Sequence, residues 1–134
     1  MDLTKRSYDI LMADDDKEDL ELMEEAMRDL VDDLHFHKVQ NGKSALKYLE
    51  SKTDKELPCL IVLDYNMPEL TGSEVLHELN RKPRYKNIPK VVYSTSNAPN
   101  HVKECKANGA ADYFVKPTSL GDMKRIAQRL LAFC

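Results

Sequence analysis

The 134-residue sequence has no apolar run near the roughly 20 residues that a membrane-spanning helix needs. Its N-terminal stretch, MDLTKRSYDILMADDD, lacks the long apolar segment and the small-residue cleavage site of a secretory leader. The formal net charge is −3, which disfavours a surface built for nucleic acid or anionic membranes. We therefore expect a cytoplasmic protein that binds neither nucleic acid nor membranes.

Cysteine is scarce, and internal repeats, low-complexity tracts and linkers are absent. The three cysteines, Cys59, Cys105 and Cys134, have no spacing typical of a metal site. An odd number of cysteines without a leader predicts reduced thiols. Cys59 lies in an apolar run, where we expect it to pack.

Short apolar runs alternate with helix-patterned stretches five times along the chain. The predicted strands are 8–13, 35–39, 60–63, 91–93 and 111–115. The predicted helices are 17–30, 44–52, 73–81, 102–108 and 120–133. Near-continuous apolar strands between amphipathic helices predict a parallel sheet that is covered on both faces. We expect one domain with the flavodoxin-like doubly wound (βα)5 fold and the strand order 2-1-3-4-5.

Polar side chains follow four of the predicted strands. They are Asp14, Asp15 and Asp16 after the first strand, Asp64 after the third, Ser94, Thr95 and Ser96 after the fourth, and Lys116 and Pro117 after the fifth. Because the carboxyl ends of parallel strands meet at one edge of a sheet, we expect these groups to converge on one pocket. Crowded carboxylates stay ionised only if a cation joins them, and a site with oxygen ligands only suits Mg²⁺.

The sequence also lacks the glycine-rich loop of P-loop nucleotide-binding proteins. The pattern therefore favours Mg²⁺-assisted phosphoryl transfer onto a carboxylate, with Asp64 as the candidate. Asp16 is well placed to cap the following helix. Asp14, Asp15 and Asp64 could each be a simple turn or capping acid, but the coincidence of four strand ends disfavours that interpretation.

The chain resembles the receiver domain of two-component response regulators, the chemotaxis-regulator family, over about residues 7–133. The motifs that carry the resemblance are Asp14-Asp15, Asp64 followed by Pro68 and Gly72, Ser94, and Lys116-Pro117. The stretch RKPRYKNIPKVVYSTS is similar to the stand-alone regulators that pair with phytochrome-type kinases. The resemblance implies a single receiver domain over residues 1–134 with no output domain.

The same resemblance implies a role for each site residue. Asp64 would be the phosphoacceptor, and the Lys116 side chain would contact the phosphoryl group. The backbone peptide bond between Lys116 and Pro117 is expected to be cis. Asp15 and Asp64 would bind Mg²⁺ directly, and Asp14 would bind it through water. The remaining roles are the backbone carbonyl of Asn66 as a further metal ligand, Ser94 and Tyr113 as switch residues, and Asn66 and Ser96 as the residues that tune hydrolysis.

The implied function is a phosphorylation switch, with self-phosphorylation and autodephosphorylation as its only chemistry, and not an enzyme in the usual sense. A partner histidine kinase or histidine phosphotransfer protein would present a phosphohistidine. Output would pass through the face that runs from about Asn100 to Phe133 and includes Tyr113, to a downstream protein or to a second copy of the chain. The four histidines, His35, His37, His77 and His101, are expected to be solvated or to pack.

Three alternatives fit the sequence less well. A metal-dependent phosphohydrolase typically has a second acid two residues after its nucleophile, where this chain has Asn66. A flavin-binding redox protein of the same fold would need a phosphate-binding loop after the first strand, where three aspartates stand instead. A pseudo-receiver that only scaffolds would not need the complete set of site residues.

Overall fold

A computed structural model describes residues 7–134 of the chain. The strands are β1 (Ser7–Ala13), β2 (Asp33–Val39), β3 (Leu60–Leu63), β4 (Lys90–Ser94) and β5 (Asp112–Val115). The helices are α1 (Lys17–Arg28), α2 (Gly42–Glu50), α3 (Gly72–Asn80), α4 (Pro99–Ala107) and α5 (Leu120–Leu131), with short 3₁₀ helices at Asp54–Glu56 and Pro83–Tyr85. None of the helices within residues 7–134 is long and apolar enough to cross a membrane.

The five strands form one parallel sheet in the order β2-β1-β3-β4-β5, which confirms the predicted flavodoxin-like topology. β1 lies between β2 and β3, and the strand order reverses at this point. In such sheets the crevice beyond the carboxyl ends of the strands at the reversal is the usual ligand site.

The sheet is apolar on both faces because successive side chains of a strand point to opposite sides. In β1, Ile10 and Met12 pack under α1 and α5, while Leu11 and Ala13 pack under α2 and α3. All four residues of β3 are 0% exposed, since β3 is central in the sheet and covered on both sides. This explains the continuous apolar run that precedes Asp64.

Local capping chemistry fixes where the helices begin. The Asp16 side chain accepts hydrogen bonds from the backbone N–H groups of Glu18 and Asp19, so its predicted role as the cap of α1 is confirmed. α4 begins at Pro99, three residues before the predicted start, because proline is well accommodated in the first turn of a helix.

The prediction of reduced thiols was wrong for two of the three cysteines. Cys59 and Cys134 form a disulfide with a Cα–Cα distance of 5.1 Å, while Cys105 is free and buried. The bond forms because α5 runs back along the sheet and ends beside the start of β3. A sequence separation of 75 residues gives no sign of that proximity.

Candidate functional site

Three aspartates meet at the carboxyl edge of the sheet, where β1 and β3 end side by side. The Asp64 N–H donates to the Ala13 carbonyl at 3.0 Å, so the two strand ends stay paired up to the acids. One carboxylate oxygen from each of Asp14, Asp15 and Asp64 lies within 4.8 Å of the other two. Asp14 is 0% exposed and Asp64 is 6% exposed, whereas Asp15 is exposed. The sheet thus brings together the three acids named from the sequence.

Lys116 extends from the end of β5 into the same cluster. Its Nζ atom lies 2.7 Å from Asp14 Oδ2, 2.8 Å from Asp19 Oδ2 and 3.4 Å from Asp64 Oδ2. The lysine side chain is 8% exposed, so these contacts are screened far less than surface ion pairs. One ammonium group therefore faces three carboxylates.

Burial and mutual contact shift the pKa values of this cluster. Burial raises the pKa of Asp14 to about 7, because the loss of hydration outweighs the hydrogen bond from Lys116. Burial disfavours the Lys116 ammonium, but its hydrogen bonds to Asp14 and Asp19 outweigh that effect, and its pKa is raised. The lysine stays charged, and the negative charge of the cluster exceeds what it can neutralise.

The residues of the cluster fit a divalent cation. The Asp64 Oδ1 atom is buried and has no hydrogen-bond partner among residues 7–134. An unpartnered buried carboxylate oxygen is costly, and a cation held by Asp14, Asp15 and Asp64 would satisfy it. A donor set made only of carboxylate oxygens suits Mg²⁺ or Mn²⁺.

The loop after Asp64 folds back tightly beneath the acid. The Gly72 N–H donates to the Tyr65 carbonyl at 2.9 Å. A Cβ atom at position 72 would overlap the carbonyl oxygen of Asp64, so only glycine allows this approach. Glu69 in the same loop has a left-handed φ of 69°. The spacing from Asp64 to Gly72 thus reflects a closed turn, and Asn66 lies on its exposed side.

The two expected switch residues meet at Ser96. Ser94 is the last residue of β4 and is 0% exposed, and its Oγ atom accepts a hydrogen bond from the Ser96 N–H at 3.3 Å. The Tyr113 hydroxyl donates to the Ser96 carbonyl at 2.8 Å. The loop between β4 and α4 therefore has a defined position that both side chains help to hold.

The expected cis bond between Lys116 and Pro117 is not found: no peptide bond within residues 7–134 is cis. The trans form is favoured by about 0.5–1 kcal/mol even before proline. Lys116 reaches the acids with a trans bond, and its N–H donates to the Ser94 carbonyl at 2.8 Å. The prediction of a cis bond was wrong.

Three residues near the acids were not singled out from the sequence: Asp19, Tyr65 and His101. Asp19 belongs to the acidic run within residues 17–33, a composition that is typical of a solvated helix face. Its one signal is its position in the first turn of the helix that begins right after β1. His101 was expected to be solvated or to pack, and no spacing pattern connects it with Tyr65, on which it stacks.

The strand order and the acidic edge define a flavodoxin-like domain with three clustered aspartates at its switch point. The family model of the response regulator receiver domain matches residues 10–128. The chain belongs to this family, the phosphorelay receivers of two-component systems.

Relatives and solved structures agree with that assignment. The two-component response regulator ORR13 of Oryza sativa subsp. japonica is 38% identical over 88 residues, which cover 66% of this chain and 70% of that protein. Another regulator of the same organism is longer, and the match spans 43% of it.

Two solved structures confirm the similarity to phytochrome-associated regulators. The Mn²⁺-bound form of response regulator Rcp1 has a TM-score of 0.82 and 30% identity, covering 94% of this chain and 93% of that one. The phosphorylated cyanobacterial phytochrome response regulator RcpA has a TM-score of 0.85 and 29% identity, covering 96% and 94%.

Proposed function

We propose that Asp64 accepts a phosphoryl group from a phosphohistidine on a partner histidine kinase or histidine phosphotransfer protein. The observation that carries this proposal is the position of Asp64. It is nearly buried among two other aspartates and Lys116, and one of its oxygens has no partner among the described residues. A carboxylate in that setting can take up a cation and act as a nucleophile towards phosphorus.

In the proposed reaction an Asp64 oxygen attacks the phosphorus in line with the bond to the histidine nitrogen. The new O–P bond forms as the N–P bond breaks, and the electron pair of that bond stays on the imidazole nitrogen. Lys116 moves from Asp14 towards the incoming phosphoryl oxygens and places a fixed positive charge there. Asp14, Asp15, Asp64 and the Asn66 carbonyl would hold Mg²⁺, and the ion would supply positive charge against the phosphoryl group.

The phosphoryl group on Asp64 would favour a local rearrangement that changes the protein-binding face. Ser94 turns its hydroxyl to the phosphoryl group, the β4–α4 loop moves with it, and Tyr113 changes position. Asn66 and Ser96, beside the pocket, would tune how fast the phosphoryl group is hydrolysed. The face from Asn100 to Phe133 then binds a downstream protein or a second copy of the chain.

The chemistry of that face supports a role in binding. It includes the exposed lysines Lys103, Lys106 and Lys124. It also includes two exposed apolar side chains, Val115 at 43% and Leu120 at 65%. A protein partner that covers Val115 and Leu120 would remove apolar surface from water, which favours binding.

The protein would thus be a phosphoacceptor switch whose self-phosphorylation and autodephosphorylation occur at one site. The similarity to RcpA supports a phytochrome-type kinase as the partner. The single-domain organisation without an output domain stays a prediction. The cytoplasm is the proposed location, and there the Cys59–Cys134 bond would meet cellular reductants.

The test is intact-protein mass spectrometry after incubation with acetyl phosphate and Mg²⁺. We expect a phosphoryl adduct on the wild-type chain, its loss when EDTA replaces Mg²⁺, and its loss in Asp64→Asn. Asp122→Asn is the matched control, since Asp122 is an exposed acid at the start of α5 and should leave the adduct unchanged. A full adduct in Asp64→Asn would show that another residue is the acceptor.

A further inference from the structure

Tyr65, the residue after Asp64, packs against α4 and is hydrogen-bonded to it. Tyr65 is 9% exposed, and its ring stacks on the His101 ring with 3.9 Å between centroids and 13° between planes. The Tyr65 hydroxyl donates to Glu104 Oε2 at 2.6 Å, and that bond, with burial, raises the pKa of Tyr65 to about 12. His101 and Glu104 are three residues apart and share one face of the helix. Two side chains of α4 therefore hold the start of the loop after Asp64.

The same histidine also holds the β4–α4 loop. His101 Nδ1 lies 2.6 Å from Ser96 Oγ, with one group donating and the other accepting. Ser96 is the residue whose N–H donates to the Ser94 hydroxyl and whose carbonyl accepts from Tyr113. His101 is thus in contact with both loops that flank the acceptor.

Resting on the proposed function, we propose that His101 is a positioning residue that couples α4 to the phosphoacceptor site and holds the unphosphorylated arrangement. In the proposed switch the Ser94 hydroxyl turns towards a phosphoryl oxygen on Asp64, and the β4–α4 loop, whose Ser96 N–H donates to Ser94 Oγ, moves with it. Movement of that loop would break the contact between Ser96 and His101 or the stack of His101 on Tyr65. The contacts therefore stabilise the arrangement in which Ser94 Oγ accepts from the Ser96 N–H.

A contact that favours one of two states weakens any ligand that selects the other. Beryllofluoride with Mg²⁺ mimics the phosphoryl group and would select the state in which Ser94 has turned. Loss of the His101 contacts should thus make binding tighter, although it removes packing and a hydrogen bond. A residue with a structural role alone would lower the melting temperature without tightening any ligand.

The test is a titration of wild-type and variant protein with beryllofluoride at saturating Mg²⁺, followed by amide shifts in NMR spectra. We expect the Kd to fall about three- to tenfold in His101→Ala, the range that one hydrogen bond supports. His101→Phe retains a ring over Tyr65 but loses the bond to Ser96, so its Kd should fall by less. In His101→Ala the melting temperature should fall as well.

His35→Ala is the matched control, because the His35 side chain is 58% exposed on β2 and pairs with Asp33, far from the contacts of His101. Its Kd should equal that of the wild type. An unchanged or higher Kd in His101→Ala, with wild-type binding intact, would overturn the role of His101 and leave the proposed function standing. Wild-type protein that does not bind beryllofluoride at all would overturn the proposed function, and this inference with it.

Discussion

A lysine is buried at each of the two edges of the sheet, and the pKa values of these two lysines are shifted in opposite directions. At the amino edge Lys90 is 2% exposed, and its Nζ atom donates to the Tyr85 carbonyl and to Asn80 Oδ1. These partners are neutral, and burial lowers the pKa of Lys90. At the carboxyl edge Lys116 faces three carboxylates and its pKa is raised.

The two edges of the sheet differ in whether their buried polar groups are satisfied. The amino edge is closed, with its lysine bonded to neutral oxygens and the chain end tied to β3 by Cys59 and Cys134. The carboxyl edge carries excess negative charge, and one Asp64 oxygen has no hydrogen-bond partner in the described part of the chain. Such a cluster costs stability and is retained where it serves a function. Mg²⁺ should therefore change stability through the carboxyl edge, and the amino edge should contribute stability that does not depend on Mg²⁺.

The largest expected effect is at the amino edge. Cys134→Ser opens a loop of 75 residues, and the chain-entropy model gives a loss of about 4 kcal/mol in the free energy of unfolding. Urea unfolding of the oxidised wild type, the reduced wild type and the variant measures it. Dithiothreitol should destabilise the wild type and leave Cys134→Ser unchanged. Equal midpoints for oxidised and reduced wild type would show that the bond contributes nothing.

The second-largest expected effect distinguishes Lys116 from Lys90 by its dependence on Mg²⁺. Lys116→Met leaves buried Asp14 and Asp64 without their cation, so in metal-free buffer the protein should lose about 3 kcal/mol. Mg²⁺ should restore more stability to this variant than it adds to the wild type, because the ion can neutralise the same acids. Thermal unfolding with EDTA and with Mg²⁺ measures both quantities.

Lys90→Met is the control for that experiment. It should destabilise the protein by a Mg²⁺-independent amount, since no carboxylate pairs with Lys90 among the described residues. Equal restoration of stability by Mg²⁺ in Lys116→Met and Lys90→Met would contradict the proposed difference between the two edges.

The smallest effect has the opposite sign. Asp64→Asn removes one negative charge from the crowded edge, so in metal-free buffer it should stabilise the protein by about 1 kcal/mol. The stabilisation that Mg²⁺ gives the wild type should be lost in the variant. The exposed acid Asp54, paired with Arg84, is the control, and Asp54→Asn should stay within about 0.5 kcal/mol of the wild type. A destabilised, still Mg²⁺-responsive Asp64→Asn would contradict the proposed cost of the acids.

Much of the fold could be predicted because its signals are local. β3 has the predicted bounds, and the strand order follows from alternating apolar strands and helices. The meeting of Asp14, Asp15, Asp64 and Lys116 follows from that order, since parallel strands end at one edge. Helix ends were less accurate: α1 ends at Arg28, two residues before the predicted end, and α4 begins earlier than predicted.

Other features of the site could not be predicted because they depend on how elements pack. Asp19 reaches Lys116 only because the first turn of α1 and the end of β5 meet at the carboxyl edge of the sheet, 97 residues apart along the chain. His101 meets Tyr65 and Ser96 only because α4 lies against both loops. Neither contact leaves a spacing pattern that distinguishes it from an ordinary solvated or packed side chain.

The sequence by itself determined a parallel five-stranded sheet and the set of acids and lysine at its carboxyl edge. Apolar periodicity predicts the strands and helices, and parallel strands all end at the same edge of a sheet. The tertiary structure alone decided the Cys59–Cys134 bond, the trans bond before Pro117, the pairing of Lys116 with Asp19 and the hold of α4 on Tyr65. The physical reason is distance: the disulfide, the Asp19 pair and the Tyr65 contact join residues far apart in the chain, whose approach is set by helix packing and not by local sequence.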